Sequence, residues 1–579
     1  MPVVSLVLDP RFLWDDSIGI YIVGKNGCPG PWDAVPKNFY RDWNRAGNIE
    51  YFGTDGAMKF NQGAGIGIAG NYTRSLAQKS LDINFDAKYG KEKLKYVLFS
   101  SKPNVNEFNS LFLRNSGNDW KYDAAKWRGC MFKDALIHTL ALGQMDIDCQ
   151  AYQPAVLYIN GQYWGIQNFR EKLDENFVGE NYKGIDRDSI DMIKQGTLEP
   201  WEVVAGDTSR YNRLLEYLSS HDMSVESNYN YIKTQMDIRN FINYQIVETY
   251  SCNNDWPHNN QKEWCPWAPG YKWHWMLYDT DPGMGGTVYT GPEVNMMDQS
   301  FNSSTSWASL VISKLIINTE FRYEFGQTYA AHLNTTYDPT RVKAVVDSLK
   351  NKLAAEMPSQ INRWKAEANA IPSITQWQTD VQLIKNFADQ RPAYAWQHMK
   401  TKCSLVKTET VTLTVNSPVG GRVFIQGARV NGPTLSGPFF SNIPIEFLAK
   451  ANNGYAFVKW EITNNGIHYF RTDSLLQDTI TGPYTIIAHF NDGQSLRSAV
   501  QNNFSAFPNP VSDILQIENL EYSGPVSITI FAADGRNIRS ITTRFDQSLF
   551  IPVEDLPAGL YLAKITAGNT TEVLRIIKK

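Results

Sequence analysis

Residues 251–260 read Ser251-Cys252-Asn253-Asn254-Asp255-Trp256-Pro257-His258-Asn259-Asn260, and residues 273–286 read Trp273-His274-Trp275-Met276-Leu277-Tyr278-Asp279-Thr280-Asp281-Pro282-Gly283-Met284-Gly285-Gly286. The first stretch follows a helical pattern with apolar residues at 238, 241, 242, 246 and 247, and Pro257 helps to keep that helix from running on. Asp255 and Asn260 therefore fall on a loop. The second stretch reads as an aromatic strand that delivers Asp279 and Asp281 to a glycine-rich turn. Carboxylate and amide oxygens are hard donors suited to Mg²⁺, and a strand end delivers a carboxylate rigidly. Each piece alone is a weak signal. An isolated Asp-x4-Asn is more often a turn, and Asp279, Asp281 and Gly283 also fit a calcium loop that lacks the later Glu of an EF-hand.

Working outward, the chain has 579 residues, which sets an expectation of about three or four domains. Fifty-five Lys and Arg face 59 Asp and Glu, a net charge of −4, without the basic footprint of a nucleic-acid binder. Aromatic residues reach 13%, with 17 Trp; such side chains fill cores more often than they stack on sugars. No apolar run approaches the ~18 residues of a membrane helix. The opening Met1-Pro2-Val3-Val4-Ser5-Leu6-Val7-Leu8 lacks a basic n-region and reads as a first strand rather than a signal peptide. Cys28, Cys130, Cys149, Cys252, Cys265 and Cys403 are scattered without CxxC spacing, which argues against structural zinc. A bridge between Cys252 and Cys265 is one hypothesis.

The pattern is sheet-rich at the start, with strands about the Asn160-Gly161 turn, and helix-rich over 320–400, where Phe321, Phe325, Tyr329 and Leu333 recur at four-residue spacing. Residues 405–492 and 505–579 read as all-β, Val411/Leu413/Val415 and Val526/Ile528/Ile530 alternating with polar residues, and 493–504 reads as a linker. The fold class is α+β. Helix, Asp-x4-Asn loop, strand and Asp-loop is the order of parts in a phosphotransferase C-lobe, where an Asp accepts a hydroxyl proton and the Asn five residues on binds magnesium. A phosphate-covering lobe is then expected upstream. Gly65 to Gly70 spells GxGxxG, but no βαβ unit follows, so a dinucleotide site is rejected. A strand, a glycine turn and a second strand bearing Lys79 fit a cover for nucleotide phosphates instead, against the plainer reading of a Gly-rich hairpin with an exposed Lys.

Residues 1–400 resemble the CotH kinase family, the spore coat protein H-like atypical kinases. The resemblance rests on Gly67-Ile68-Ala69-Gly70-Asn71-Tyr72-Thr73-Arg74, Gln78-Lys79-Ser80-Leu81, Leu113-Arg114-Asn115-Ser116-Gly117-Asn118-Asp119, Phe169-Arg170-Glu171-Lys172-Leu173-Asp174 and the two loops above. It implies a two-lobed protein-kinase-like domain, with an N-lobe of about 1–195 and a C-lobe of about 196–400, that uses ATP with Mg²⁺ or Mn²⁺. By position it makes Asp255 the catalytic residue, Asn260, Asp279 and Asp281 metal ligands, and Lys79, Arg74 and Glu171 nucleotide contacts, with Lys172 and Lys194 as alternatives to Lys79. Residues 406–490, with Gly454-Tyr455-Ala456-Phe457-Val458-Lys459-Trp460, are similar to internalin B-repeat-like modules. Residues 505–579, with Phe507-Pro508-Asn509-Pro510 and Leu556-Pro557-Ala558-Gly559-Leu560-Tyr561, resemble a type IX (Por) secretion sorting β-sandwich. That implies export by the type IX machinery, a leader lying outside this sequence, and an exported protein as the Ser/Thr substrate. The alternative is a catalytically inactive kinase-like surface protein that binds glycan or protein, since a fold does not guarantee its function.

Overall fold

The computed structural model describes residues 1–31, 33–195, 201–302, 309–492, 504–568 and 570–579; the expected linker at 493–504 falls almost entirely outside them. The chain is mixed α+β and divides into two compact units. The first comprises Met1–Pro418, Arg422–Lys450 and Lys459–His489; the second comprises Val419–Gly421, Ala451–Val458 and Phe490–Lys579.

Among the described residues of the first unit, seven strands close a barrel: β1 (Val3–Leu8), β2 (Arg45–Phe52), β3 (Met58–Ala69), β4 (Ser80–Asn84), β5 (Ser110–Arg114), β6 (Tyr152–Ile159) and β7 (Gln162–Glu171). Their spatial order is β1-β6-β7-β5-β4-β3-β2, and β1 closes it by pairing parallel to β6 and antiparallel to β2. Period-two alternation sends Ile66, Leu81, Ile83, Leu111, Leu113 and Ile166 into the interior, each at most 1% exposed. Asp82 and Arg114 lie on the opposite faces of the same strands. The β6–β7 hairpin turns on Asn160 and Gly161, both at positive φ, as the Asn-Gly pair requires.

Most of the glycine-rich stretch is strand; Gly70 alone, at φ +94°, lies past the end of β3 in the connection towards β4. Gly63 and Gly65 lie inside β3, where a Cβ would sit 1.8 Å from the Tyr89 carbonyl oxygen and 2.4 Å from the Tyr89 ring. Close backbone approach, rather than a phosphate cradle, explains those two glycines. Lys79 stands one residue ahead of β4 rather than on it.

Beyond the barrel come β8 (Ile190–Gln195), β9 (Trp201–Ala205), β10 (Lys262–Pro266) and β11 (His274–Trp275), in the order β9-β8-β10-β11. The expected aromatic strand over 273–278 shrinks to two ladder residues; Trp273 and Met276 make only isolated bridges, to Met236 and Asp148. The helices of this part include α1 (Lys133–Ala141), α2 (Ile238–Ser251), α3 (Thr319–Asn334), α4 (Pro339–Ala354) and α5 (Ile374–Cys403). Except at Arg239, α2 is buried along its whole length, so it is the central helix rather than an amphipathic surface one. Trp256, Trp264, Trp273 and Trp275 are at most 3% exposed, which assigns these aromatics to the core, whereas Trp267 is 53% exposed. All six cysteines are free. The Cys252–Cys265 bridge is therefore absent; Cys252 packs its Sγ against the Val294 carbonyl and Cys265 lies beside Arg210.

Strand Thr408–Val415 pairs with Thr434–Phe440 and, in parallel, with Tyr484–Asp492. This β region belongs largely to the first unit: the Gln327 side chain on α3 donates to the Phe440 carbonyl (2.9 Å) and accepts from the Phe440 N–H (3.0 Å). In the second unit, long strand Ile514–Ala532 pairs with Ser505–Phe507, Asn537–Pro552 and Gly559–Ala567, and the last of these pairs with Thr570–Lys578. Val526, Ile528 and Ile530 pack with Phe545, Ala563, Ile565 and Ile576 in its core.

Candidate active site

Two loops meet where α2 ends. Cys252 caps the helix in the left-handed region (φ +56°), and the chain turns into the Asp255 loop. The Met284 N–H donates to the Ser251 carbonyl at 2.6 Å, tying the Asp279–Gly286 loop to the same helix end. A Cβ on Gly283 would come within 3.0 Å of that carbonyl, so a small residue is needed there.

Asn260 joins the loops. Its Nδ2 donates to Asp255 Oδ2 at 3.0 Å and to the Asp279 carbonyl at 3.4 Å. Asn260 and Asp279 both sit at positive φ, +59° and +54°, conformations that the surrounding contacts must hold. The Asp255 side chain is 40% exposed and accepts a further bond from Asn259 at 3.3 Å. Burial, reinforced by the charge of Asp279, raises its carboxyl above the ordinary value.

The carboxylates of Asp279 and Asp281 converge on one guanidinium. Arg114, the last residue of β5, gives its Nη2 to Asp279 Oδ1 and, at 2.7 Å, to Asp281 Oδ1. The Asn118 N–H holds the other Asp281 oxygen at 2.7 Å. Burial and the neighbouring Asp279 charge push Asp281 well up; burial pushes Asp279 the same way, but Arg114 overcomes it and holds that carboxyl down. Between them, Thr280 is fixed by its N–H and hydroxyl to Asp134 Oδ1 (3.0 and 3.1 Å), and Arg170 pairs with the other Asp134 oxygen at 2.6 Å.

Below the Asp255 loop lies Glu248, fully buried on α2. Its Oε2 accepts from Asn253 Nδ2 at 2.9 Å, and Asn253 Oδ1 accepts the Asp255 N–H at 3.2 Å. Oε1 has no partner, and burial raises the Glu248 carboxyl to about 8.

Of the residues expected from sequence, the structure thus gathers Asp255, Asn260, Asp279 and Asp281. It does not gather Lys79, Arg74 or Glu171 with them. Lys79 Nζ donates to the Arg74 and Leu76 carbonyls (2.6 and 2.9 Å) and lies 4.0 Å over the Phe39 ring; burial lowers it to about 7. Arg74 binds the Tyr40 carbonyl and Asp42. Glu171 is fully buried against Lys102 at 2.7 Å. Lys172 pairs with Asp82 at 3.1 Å and borders a polar cleft of 530 Å³ that also includes Asn84, Ser110, Asp174 and Arg187.

Sequence reasoning missed Arg114, Asp134 and Glu248. For Arg114 the available signal was its place at the end of the apolar run Leu111-Phe112-Leu113, ahead of Asn115-Ser116-Gly117. Among the described residues no group of three or more His, Cys, Asp or Glu is arranged as a metal site. Yet the chemistry of the donor set fits a hard divalent cation, because two carboxylates already share one positive charge and Asn260 adds an amide.

A sheet-and-helix chain with paired acidic loops at the end of a central helix defines the class. The family model for CotH kinase protein matches residues 66–395, more than half of the sequence, and the chain belongs to that family. The model for the secretion system C-terminal sorting domain matches 505–579. That domain makes the chain a type IX cargo, secreted or held at the outer-membrane surface; among the described residues no helix is long and apolar enough to cross a membrane. No curated protein matches. Among solved structures, dimeric latent PorU from Porphyromonas gingivalis is similar at 10% identity with a TM-score of 0.12, over 28% of this chain and 16% of that one.

Proposed function

We propose that the chain is an exported CotH-type protein kinase with a two-lobed, protein-kinase-like domain, transferring phosphate from ATP to Ser or Thr of another exported protein. The observation that carries this reading is the Asn260 amide, which ties the Asp255 carboxylate to the Asp279 loop beside a converging pair of acids. Asp255 is exposed enough to meet a substrate hydroxyl and, with its carboxyl raised, is suited to accept the proton. Asn260, Asp279 and Asp281 would hold Mg²⁺ or Mn²⁺, which supplies charge neutralisation on the triphosphate. What the chain itself contributes is positioning: Glu248 and Asn253 orient the Asp255 backbone, and Asp134 fixes Thr280 between the two acids.

A second reading, a catalytically silent surface-binding protein, is favoured by one observation. Arg114 already supplies the acid pair with a counter-charge, so the fold can hold the two acids together without a metal. Purified protein given Mg²⁺ or Mn²⁺ and γ-³²P-ATP separates the two. Autophosphorylation that disappears in Asp255→Ala supports the kinase, whereas no incorporation and no nucleotide-induced thermal shift supports the silent scaffold.

A further inference from the structure

We propose that Arg114 is a resident counter-ion that a divalent cation displaces from Asp279 and Asp281, and that the released guanidinium binds nucleotide phosphate, so that metal and nucleotide bind cooperatively. This rests on the kinase reading of the site.

Asp281 is anchored independently of the cation. Asp281 accepts the Asn118 N–H (2.7 Å), a bond that does not involve Arg114, and the intervening Thr280 is anchored twice to Asp134. Arg114, by contrast, reaches the pair through one nitrogen, Nη2, at the tip of a long side chain. Its Nε is buried without a partner. A structural Arg that had reached its final place would be expected to use its fork on both carboxylates. This one leaves donor capacity unspent, which a phosphate could take up.

The space around the contact is shaped to hold the pair closely. Ser116 and Gly117 follow Arg114 at positive φ, +84° and +65°. A Cβ on Gly117 would stand 2.6 Å from Arg114 Nη2 and 3.0 Å from Asp281 Oδ1. The backbone thus passes directly against the ion pair, where only glycine fits. The side-chain traffic at this point is cation for cation, since removing Arg114 without a replacement would leave two neighbouring carboxylates unpaired in a half-buried site.

Linkage follows. A cation that must evict Arg114 binds weakly by itself, and a phosphate that accepts Arg114 removes that cost. By reciprocity the metal then strengthens nucleotide binding by the same factor.

The test is Mn²⁺ affinity, from the free-ion EPR signal, for wild type, Arg114→Gln and Arg114→Lys, with and without AMP-PNP and corrected for the Mn²⁺–AMP-PNP complex in solution. Arg114→Gln is expected to bind Mn²⁺ alone at least tenfold more tightly than wild type. It should also bind AMP-PNP at least tenfold more weakly and lose most of the coupling. Arg114→Lys, whose point charge is a poorer bridge, should fall between the two and serves if the Gln variant does not fold. Unchanged or weaker Mn²⁺ binding in both variants, while wild type binds Mn²⁺ with AMP-PNP, overturns this proposal alone. Absence of Mn²⁺ binding by wild type even with AMP-PNP overturns the kinase reading together with it.

Discussion

Arg114 and Asp281 lie 167 positions apart in the chain and share a 2.7 Å ion pair. The contact joins the end of a barrel strand to the loop that follows the central helix and its sheet, and it makes the two acids of that loop unequal. Asp281 is 1% exposed and carries two bonds, from Arg114 and the Asn118 N–H. The Asp279 side chain is 31% exposed, within reach of water.

Stability should separate the two acids even though loss of either removes a metal ligand. Asp281→Ala leaves a buried N–H and part of the guanidinium unpaired and should cost about 2–4 kcal/mol. Asp279→Ala, which leaves Arg114 its other partner, should cost about 1 kcal/mol or less. Urea denaturation at neutral pH reads both; equal losses would contradict the asymmetry. Metal-dependent phosphate transfer should fall by at least a hundredfold in either variant, on the order expected for removing an electrostatic partner of the transferred group.

The glycines of β3 make a sharp case because their sequence pattern invites a phosphate role. Gly63→Ala would drive a Cβ into the Tyr89 carbonyl oxygen, backbone that cannot swing aside, while Gly65→Ala meets the Tyr89 ring, which can shift. Gly63→Ala should therefore destabilise by about 2–3 kcal/mol and Gly65→Ala by less. The affinity of whatever folds for ATP should be unchanged. A stable Gly63→Ala protein with weakened ATP binding would restore the phosphate-loop reading.

These glycines also mark the limit of what was legible in the sequence. Local chemistry was readable: Asn160-Gly161 demands its hairpin turn, the stripe over 238–250 demands a helix, and the Asp255 and Asp279 loops follow from what interrupts their neighbours. What was not readable depends on partners distant in the chain. Gly63 is explained by Tyr89, Arg114 by Asp279 and Asp281, and the enclosure of Lys79 by the Phe39 ring that closes over it, beyond its near neighbours Arg74 and Leu76. The aromatic stretch at 273–278 falls short as a strand for a related reason: its aromatic composition suits a ladder, but only His274 and Trp275 find a neighbouring strand.

Lys79 gives a kinetic test of that enclosure. The residue is 4% exposed and its ammonium is already bonded to two carbonyls. Lys79→Met should lower the melting temperature, since both carbonyls lose a donor, and should leave KM for ATP within about twofold. A tenfold rise in KM with an unchanged melting temperature would place Lys79 on the nucleotide after all.

Glu248 yields a pH dependence whose sign is fixed by its position. Burial raises its carboxyl from 4.5 to about 8, with Asp134, Asp255 and Asp279 adding in the same direction and the Asn253 amide opposing. The folded protein therefore binds a proton at Glu248 that the unfolded chain has released between about pH 4.5 and 8. The contribution of this group is fully present below pH 4.5 and is lost as pH rises through 8. Glu248→Gln keeps an amide oxygen for Asn253 and cannot ionise. It should match wild type near pH 5 and exceed it by about 1–3 kcal/mol at pH 9, because the wild-type protein there must hold an unpaired buried charge. Urea unfolding of both proteins at pH 5, 7 and 9 decides the matter: a difference that does not grow with pH would show that Glu248 is already ionised at pH 5 and that its unpartnered oxygen is hydrated.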